Sequence, residues 1–286
     1  MSSQTRLRKT FIAGNWKSNG DRAFVNKHCM FLTGVRIEKN TQLCIAPPNI
    51  YLQNCKTFLA HLFSICAQNI SQFDDGPYTG EVSAKQIKDL GIDWTIIGHS
   101  ERRKYFNEDE NIIGKKIDQA LKYKLNFILC VGDDKDGKEN NCFEIIKKQL
   151  NTAFEKIKNN NWDNVVISYE PVLEKENGNI LAKEKVQEMH EFIRKEIKEK
   201  MGEEIANKIR IIYGGYVDEK NCNGTCGKPQ PAPAAPAGSW TCECGATNTG
   251  KFCSNCGKPQ PSADWTCECG TTNTGKFCSN CGKPKS

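Results

Sequence analysis

Between Lys9 and about Val217, short apolar runs alternate with longer amphipathic ones. The runs FIAGNW, LCIAPP, FSICAQN, WTIIGHS, NFILCVG, NVVISYEP and IRIIYGG predict seven strands. Most of them are continuous rather than alternating, the mark of strands buried on both faces of a parallel sheet. The segments between them have helical spacing. EDENIIGKKIDQALKYKL opens acidic and closes basic, which suits a helix dipole. EKVQEMHEFIRKEIKEK sets Val186, Met189, Ile193 and Ile197 three and four residues apart, a stripe that faces a core. Strand then helix, repeated, is a β/α architecture. Periodicity leaves a doubly wound sheet and a closed barrel both open.

Composition narrows the function classes. A chain of 286 residues, 38% hydrophobic, fills a sizeable core in one large domain or two smaller ones. The net charge of +6 is mild and no Lys/Arg run stands apart from acidic neighbours, so attraction to nucleic acid or membrane is not implied. No window approaches about 18 uninterrupted apolar residues, and the first residues lack a signal-like apolar run. The expectation is a soluble cytoplasmic protein.

Cysteine usage splits the chain. Eight of the 16 cysteines are scattered through the first 226 residues, and those in apolar strands, such as Cys44, Cys66 and Cys130, predict buried thiols. The other eight stand in two near-identical copies, WTCECGATNTGKFCSNCGKP from Trp240 and WTCECGTTNTGKFCSNCGKP from Trp265. Each copy reads CxC, eight residues, CxxC. This predicts two tetrathiolate sets, Cys242, Cys244, Cys253 and Cys256, then Cys267, Cys269, Cys278 and Cys281, each holding one structural zinc ion. A twenty-residue segment with one Trp and one Phe cannot bury enough apolar surface to fold without metal. These segments resemble zinc ribbons, at 240–259 and 265–284. Closed tetrathiolate sites are not catalytic, and the partner of the ribbons, protein or nucleic acid, stays open. A Pro/Ala-rich spacer over 223–239 separates them from the barrel-like region, 1–222.

Polar residues gather at the predicted strand ends: Asn15 and Lys17 after the first, His99 after the fourth, Glu170 after the sixth. The strings AGNWKSN, QNISQFDDGPYTGE, IGHSERR, ISYEPV and IRIIYGG, in this order and at about this spacing, resemble the triosephosphate isomerase family over residues 9–222. The resemblance implies a (β/α)8 barrel and isomerisation of a triose phosphate through an enediolate, with no cofactor for catalysis. That chemistry needs a base beside a carbonyl-activated carbon and an electrophile on the oxygen, and this family is the worked example of the pairing. By resemblance Glu170 is the base, His99 the neutral electrophile and Lys17 the fixed positive charge. Asn15, Gly178, Gly214 and Gly215 belong to the substrate site. Glu101 pairs with the lysine, and Thr79 marks a loop that docks into a partner subunit, implying a homodimer. His28, His61 and His190 are expected to be partly exposed helical residues without a role.

The resemblance breaks around the phosphate. A glycine-containing lid follows the glutamate in the family; here LEKENG occupies 173–178, keeps only Gly178, and sets Glu176 where a dianion arrives. Tyr216 replaces a serine after the glycine pair. Beyond Cys222 the eighth strand and helix of the barrel are expected to be missing, which leaves two sheet edges. A different reading follows from these departures: a catalytically impaired barrel remnant that displays two ribbons as a scaffold.

Overall fold

The computed structural model describes residues 8–133, 142–172 and 181–217 and, in the tail, 240–241, 247–248, 265–266, 268–269, 272–273 and 279–283. The chain divides into two compact units, Met1–Gly227 and Lys228–Ser286. The first carries seven strands: β1 (Thr10–Asn15), β2 (Thr41–Ala46), β3 (Ser64–Ala67), β4 (Trp94–Ile97), β5 (Asn126–Gly132), β6 (Val165–Glu170) and β7 (Arg210–Tyr213). They pair in parallel in sequence order, one sheet from β1 to β7. The connections supply α1 (Arg22–Thr33), α2 (Leu52–Leu59), α3 (Ala84–Asp89), α4 (Ser100–Tyr105), α5 (Glu110–Lys122), α6 (Cys142–Lys156), α7 (Lys183–Met201) and α8 (Glu203–Lys208). No helix among the described residues is long and apolar enough to cross a membrane.

Side chains alternate across each strand and build two separate apolar layers. Phe127, Leu129, Val131, Val165 and Ile167 pack outward against the helices. Phe11, Cys44, Cys66, Trp94, Ile96, Ile128, Cys130 and Val166 form the second layer, which fills the lumen. A sheet coiled around its own filled interior is a barrel, and this resolves the choice that periodicity left open. The apolar stripe of α7 is buried as its spacing requires. Helix starts follow local chemistry: Asp21 and Asp109 cap α1 and α5, and Ser83 with Gln86 forms a capping box on α3. The scattered thiols Cys29, Cys44, Cys55, Cys66 and Cys130 are buried and stand in no disulfide. Burial and the adjacent Cys29 push the Cys55 thiol up to about 12, so it is inert.

The sheet does not close. Among the described residues no ladder joins β1 to β7, although their Cα atoms come within 8 Å of one another. Among the described residues the barrel is the eight-stranded type without its eighth strand. Its cost shows on the outer face of β1, where Ile12 stays 51% exposed while Ile45 and Ile167 on paired strands are 6% and 0% exposed. On α1, Met30 and Phe31 are also exposed. In the tail, Trp240–Thr241 pairs antiparallel with Thr247–Asn248, and Trp265–Thr266 with Thr272–Asn273. The repeat therefore forms the same small hairpin twice.

Two histidine expectations need correction. His190 is 9% exposed, facing the Tyr169 ring with a centroid distance of 6.3 Å, because α7 turns this position toward β7. His61 lies in the turn after α2 rather than in a helix, whereas His28 is the partly exposed helical residue expected, stacked on Phe24. Burial, with Arg194 nearby, pushes the His190 ring down to about 4, against a hydrogen bond to the backbone of Ile212.

Two predictions follow from this packing. Ile167→Ala should cost about 2–5 kcal/mol of unfolding free energy and Ile12→Ala less than about 1, read from urea midpoints; similar losses would mean that β1 is covered after all. In the unfolded chain His190 titrates near 6.5 and in the folded chain near 4. The unfolded state therefore gains a proton first, and stability is lost as pH falls from 6.5 toward 4, with a ceiling of roughly 3 kcal/mol from this group. His190→Asn, which keeps a donor but not the titration, should shrink the drop in urea midpoint between pH 7.5 and 4.5.

Candidate active site

The C-terminal ends of β1, β4 and β6 bring together residues far apart in the chain. Asn15 ends β1, and its Oδ1 accepts the backbone N–H of Lys17 at 2.9 Å. Gln68, just past β3, donates through Nε2 to the carbonyls of Lys17 and Ala46, both at 2.8 Å. These bonds hold Lys17 at φ 53°, a left-handed conformation uncommon outside glycine. The Lys17 ammonium pairs with Glu101 Oε1, with both side chains about one-third exposed. The positive charge is thus fixed in place but remains open to the rim.

His99 caps α4 and is 7% exposed; Glu170 ends β6 and is 4% exposed. The backbone N–H of Glu101 donates to His99 Nδ1 at 3.2 Å, which leaves the ring proton on Nε2. The Glu101 carboxylate oxygen lies 3.7 Å from Nδ1, beyond hydrogen-bond range, and that carboxylate is engaged by Lys17. His99 thus uses Nδ1 as an acceptor and turns Nε2 toward Glu170. Glu170 Oε1 lies 3.4 Å from Nε2, and Oε2 accepts the N–H of Ser100 at 2.9 Å. A buried carboxylate and an imidazole stand together on the rim, and Glu101 links them to an ammonium. Such a set removes a proton from carbon and stabilises negative charge on the adjacent oxygen.

The surrounding packing leaves these groups little freedom. Gly132 lies opposite Glu170 in the β5–β6 ladder, and a Cβ there would meet the Glu170 carbonyl oxygen at 1.9 Å. On the other side, a Cβ at Gly214 would come within 2.3 Å of Ser168 Oγ and 3.0 Å of Glu170 Cγ. Only glycine lets the ends of β5 and β7 approach Glu170 this closely. Gln149 on α6 clamps Gly132 through both amide bonds, at 2.9 and 3.0 Å. Asp133 Oδ1 accepts the N–H of Val172 at 2.5 Å and anchors the chain where it leaves Glu170. Arg102 on α4 and Lys116 on α5 share Glu108, and Lys116 also reaches Asn69 at 2.6 Å, tying the helix that His99 caps to the β3 exit.

Of the residues named from sequence, Asn15, Lys17, His99, Glu101 and Glu170 lie on this rim, with Gly214 against Glu170 and Gly215 beside it. Gly214 N–H donates to Tyr169 O at 2.7 Å. Tyr216 is half-exposed. Thr79 stands elsewhere, exposed at the tip of the loop after β3. Gly178 and Glu176 lie outside the described residues, as do Cys242, Cys244, Cys253, Cys256, Cys267 and Cys278. Cys269 and Cys281 are described and exposed. Sequence reasoning missed Gln68 and Ser100, although both lie inside quoted motifs. It also missed Gly132, Gln149 and Asp133, whose importance depends on neighbours across the sheet.

A β/α barrel with a carboxylate, imidazole and lysine on its C-terminal rim belongs to the class of barrel proteins equipped for proton transfer at carbon. A sequence model described as triosephosphate isomerase matches residues 10–231. Triosephosphate isomerase of Paracoccidioides lutzii is 36% identical over 223 residues, covering 78% of this chain and 90% of the relative. The protein of that name from Flavobacterium johnsoniae is 36% identical over 226 residues, 78% of this chain and 90% of its own. A chloroplastic one from Secale cereale is 37% identical over 215 residues, 75% of this chain and 72% of its own. The chain belongs to the triosephosphate isomerase family.

Proposed function

We propose that this chain interconverts dihydroxyacetone phosphate and glyceraldehyde 3-phosphate without a cofactor. The observation that carries the reading is the juxtaposition of Glu170 and His99, 3.4 Å apart, beside the Lys17–Glu101 pair in a member of this family. Glu170 takes the proton from the carbon next to the carbonyl. The Nε2–H of neutral His99 donates to the oxygen on which charge develops, and Lys17 supplies a fixed positive field. With its Oε2 on the Ser100 N–H, the Glu170 carboxylate must exchange that bond for the substrate before it acts. Asn15 lines the substrate position, and the backbone of Gly178, Gly214 and Gly215 receives the phosphate. The Glu176 charge and the Tyr216 ring weaken phosphate binding, so the expected penalty falls on KM.

The reading extends to assembly. Phe73 and Tyr78 stack with centroids 4.2 Å apart in the loop that carries Thr79. Asp74 is held by Lys122 and Tyr123, and Asp75 by Ser83 and Lys85. A braced, exposed aromatic pair suits insertion into a second copy, and we assign a homodimer through this loop in the cytoplasm. The tail, at 240–259 and 265–284 after the spacer 223–239, is assigned two zinc ribbons. Asn280 Nδ2 lies 3.9 Å from Cys269 Sγ, which brings the CxC limb against the residue next to Cys281. The thiolate donors of each set suit zinc, which would fold the ribbon and take no part in the isomerisation. The ribbons remain available for a protein or nucleic-acid partner.

In a coupled assay, Glu170→Gln should lower kcat by about 10²–10⁴-fold while leaving the unfolding midpoint nearly unchanged. Background turnover in the parent chain, indifferent to this substitution, would leave the barrel as a scaffold for its tail. Metal analysis of the full chain should find two zinc ions. Replacing Cys253 and Cys256 with serine should remove one of them without altering turnover; an unchanged zinc content would refute the ribbon assignment.

A further inference from the structure

At the N-terminal end of the barrel, opposite the catalytic rim, lies a cleft of about 150 Å³. Lys9 lines one side, just before β1; Lys208 and Arg210 line the other, at the start of β7. The cleft therefore straddles the unpaired seam. Trp162 and Ile205 give it an apolar wall, and Asp163 is the one carboxylate among the described residues that line it.

The charges across this seam are unbalanced. Lys208 pairs with Glu204 at 2.6 Å. Lys9 has no hydrogen-bond or ion-pair partner among the described residues. Arg210 donates to Gln42 Oε1 at 2.7 Å and lies over the rings of Phe11 and Trp94, at 4.8 and 5.7 Å from their centroids. No described carboxylate bonds it, and burial lowers its pKa. Lys9 precedes β1 and Arg210 opens β7, so cations line the cleft from both sides of the seam, with Asp163 the one described carboxylate on its lining.

We propose that this cleft binds a small organic anion, a carboxylate or phosphate head on an apolar stem, which ties β1 to β7. The head neutralises Lys9 and the Arg210 charge, and the stem packs on Trp162 and Ile205. The cleft volume is near that of a cavity that holds benzene, so the stem is no larger than one ring or a branched chain. An anion that binds only the closed seam stabilises the folded barrel by mass action.

The test uses the full chain with benzoate and inorganic phosphate as probes, against chloride at matched ionic strength. Melting temperature is read alongside the ¹⁵N-resolved indole N–H signal of Trp162. We expect one or both probes to move the Trp162 signal saturably and to raise the melting temperature by about 3–7 °C at roughly twenty times Kd. Lys9→Gln, on the surface and safe for folding, should weaken the response at least fivefold, and Lys208→Gln should weaken it less. Glu170→Gln should leave it intact, which separates this cleft from any phosphate held at the rim. A benzoate-only or phosphate-only response identifies the head group. If neither probe moves Trp162 beyond chloride, or if Lys9→Gln responds like the parent chain, the proposal is wrong.

Discussion

Every parallel strand has backbone N–H and C=O groups to satisfy on both sides, and among the described residues β1 and β7 each have a partner strand on one side only. In a barrel of eight the last ladder closes the cylinder and abolishes both edges. Here that closure is left to side chains. Arg8 reaches across to the carbonyl of Asn207 at 2.8 Å. Inside, Phe11 of β1 meets Trp94 at 5.1 Å between centroids, and Arg210 of β7 lies over both rings. A lumen plug thus holds the edge strands near each other without pairing them. The uncovered outer face of β1 and the excess of positive charge at the seam both follow from that substitution.

The same constraint explains why the rim can stay organised. His99 and Glu170 stand at the ends of β4 and β6, in the part of the sheet where every strand has two neighbours. Gly132, clamped by Gln149, packs against the backbone of Glu170. Lys17 is the exposed member, since it follows an edge strand. Its position nevertheless owes nothing to β7: Gln68 from the β3 exit and Glu101 from α4 hold it. Glu170 and His99 stand on strands with two neighbours each, while Asn15, Lys17 and Gly214 reach the rim from the edge strands.

Much of this was written in local patterns. Seven apolar runs, most of them continuous, became seven strands because a strand buried on both faces has no polar side to interrupt it. The stripe of Val186, Met189, Ile193 and Ile197 became the core face of α7, and Asn15, Lys17, His99 and Glu170 were visible as polar residues where apolar runs stop. His190 was misread because its helical position alone does not reveal that β7 and Arg194 close over it. Gly132 and Gln149 could not be read at all, since a glycine and a glutamine carry no signal until a neighbouring strand and helix are placed against them.

The amino-acid order by itself determined the element sequence, the duplicated cysteine segment and the residue types available at each strand end, because these depend on neighbours a few positions away. Tertiary structure alone decided that the sheet coils into a barrel and stops one ladder short. It also decided that His99 Nε2 faces Glu170 at 3.4 Å, and that Lys9 and Arg210 line one cleft. Those outcomes rest on contacts between residues tens to hundreds of positions apart, where packing and backbone hydrogen bonding, rather than local preference, select among the arrangements the chain allows.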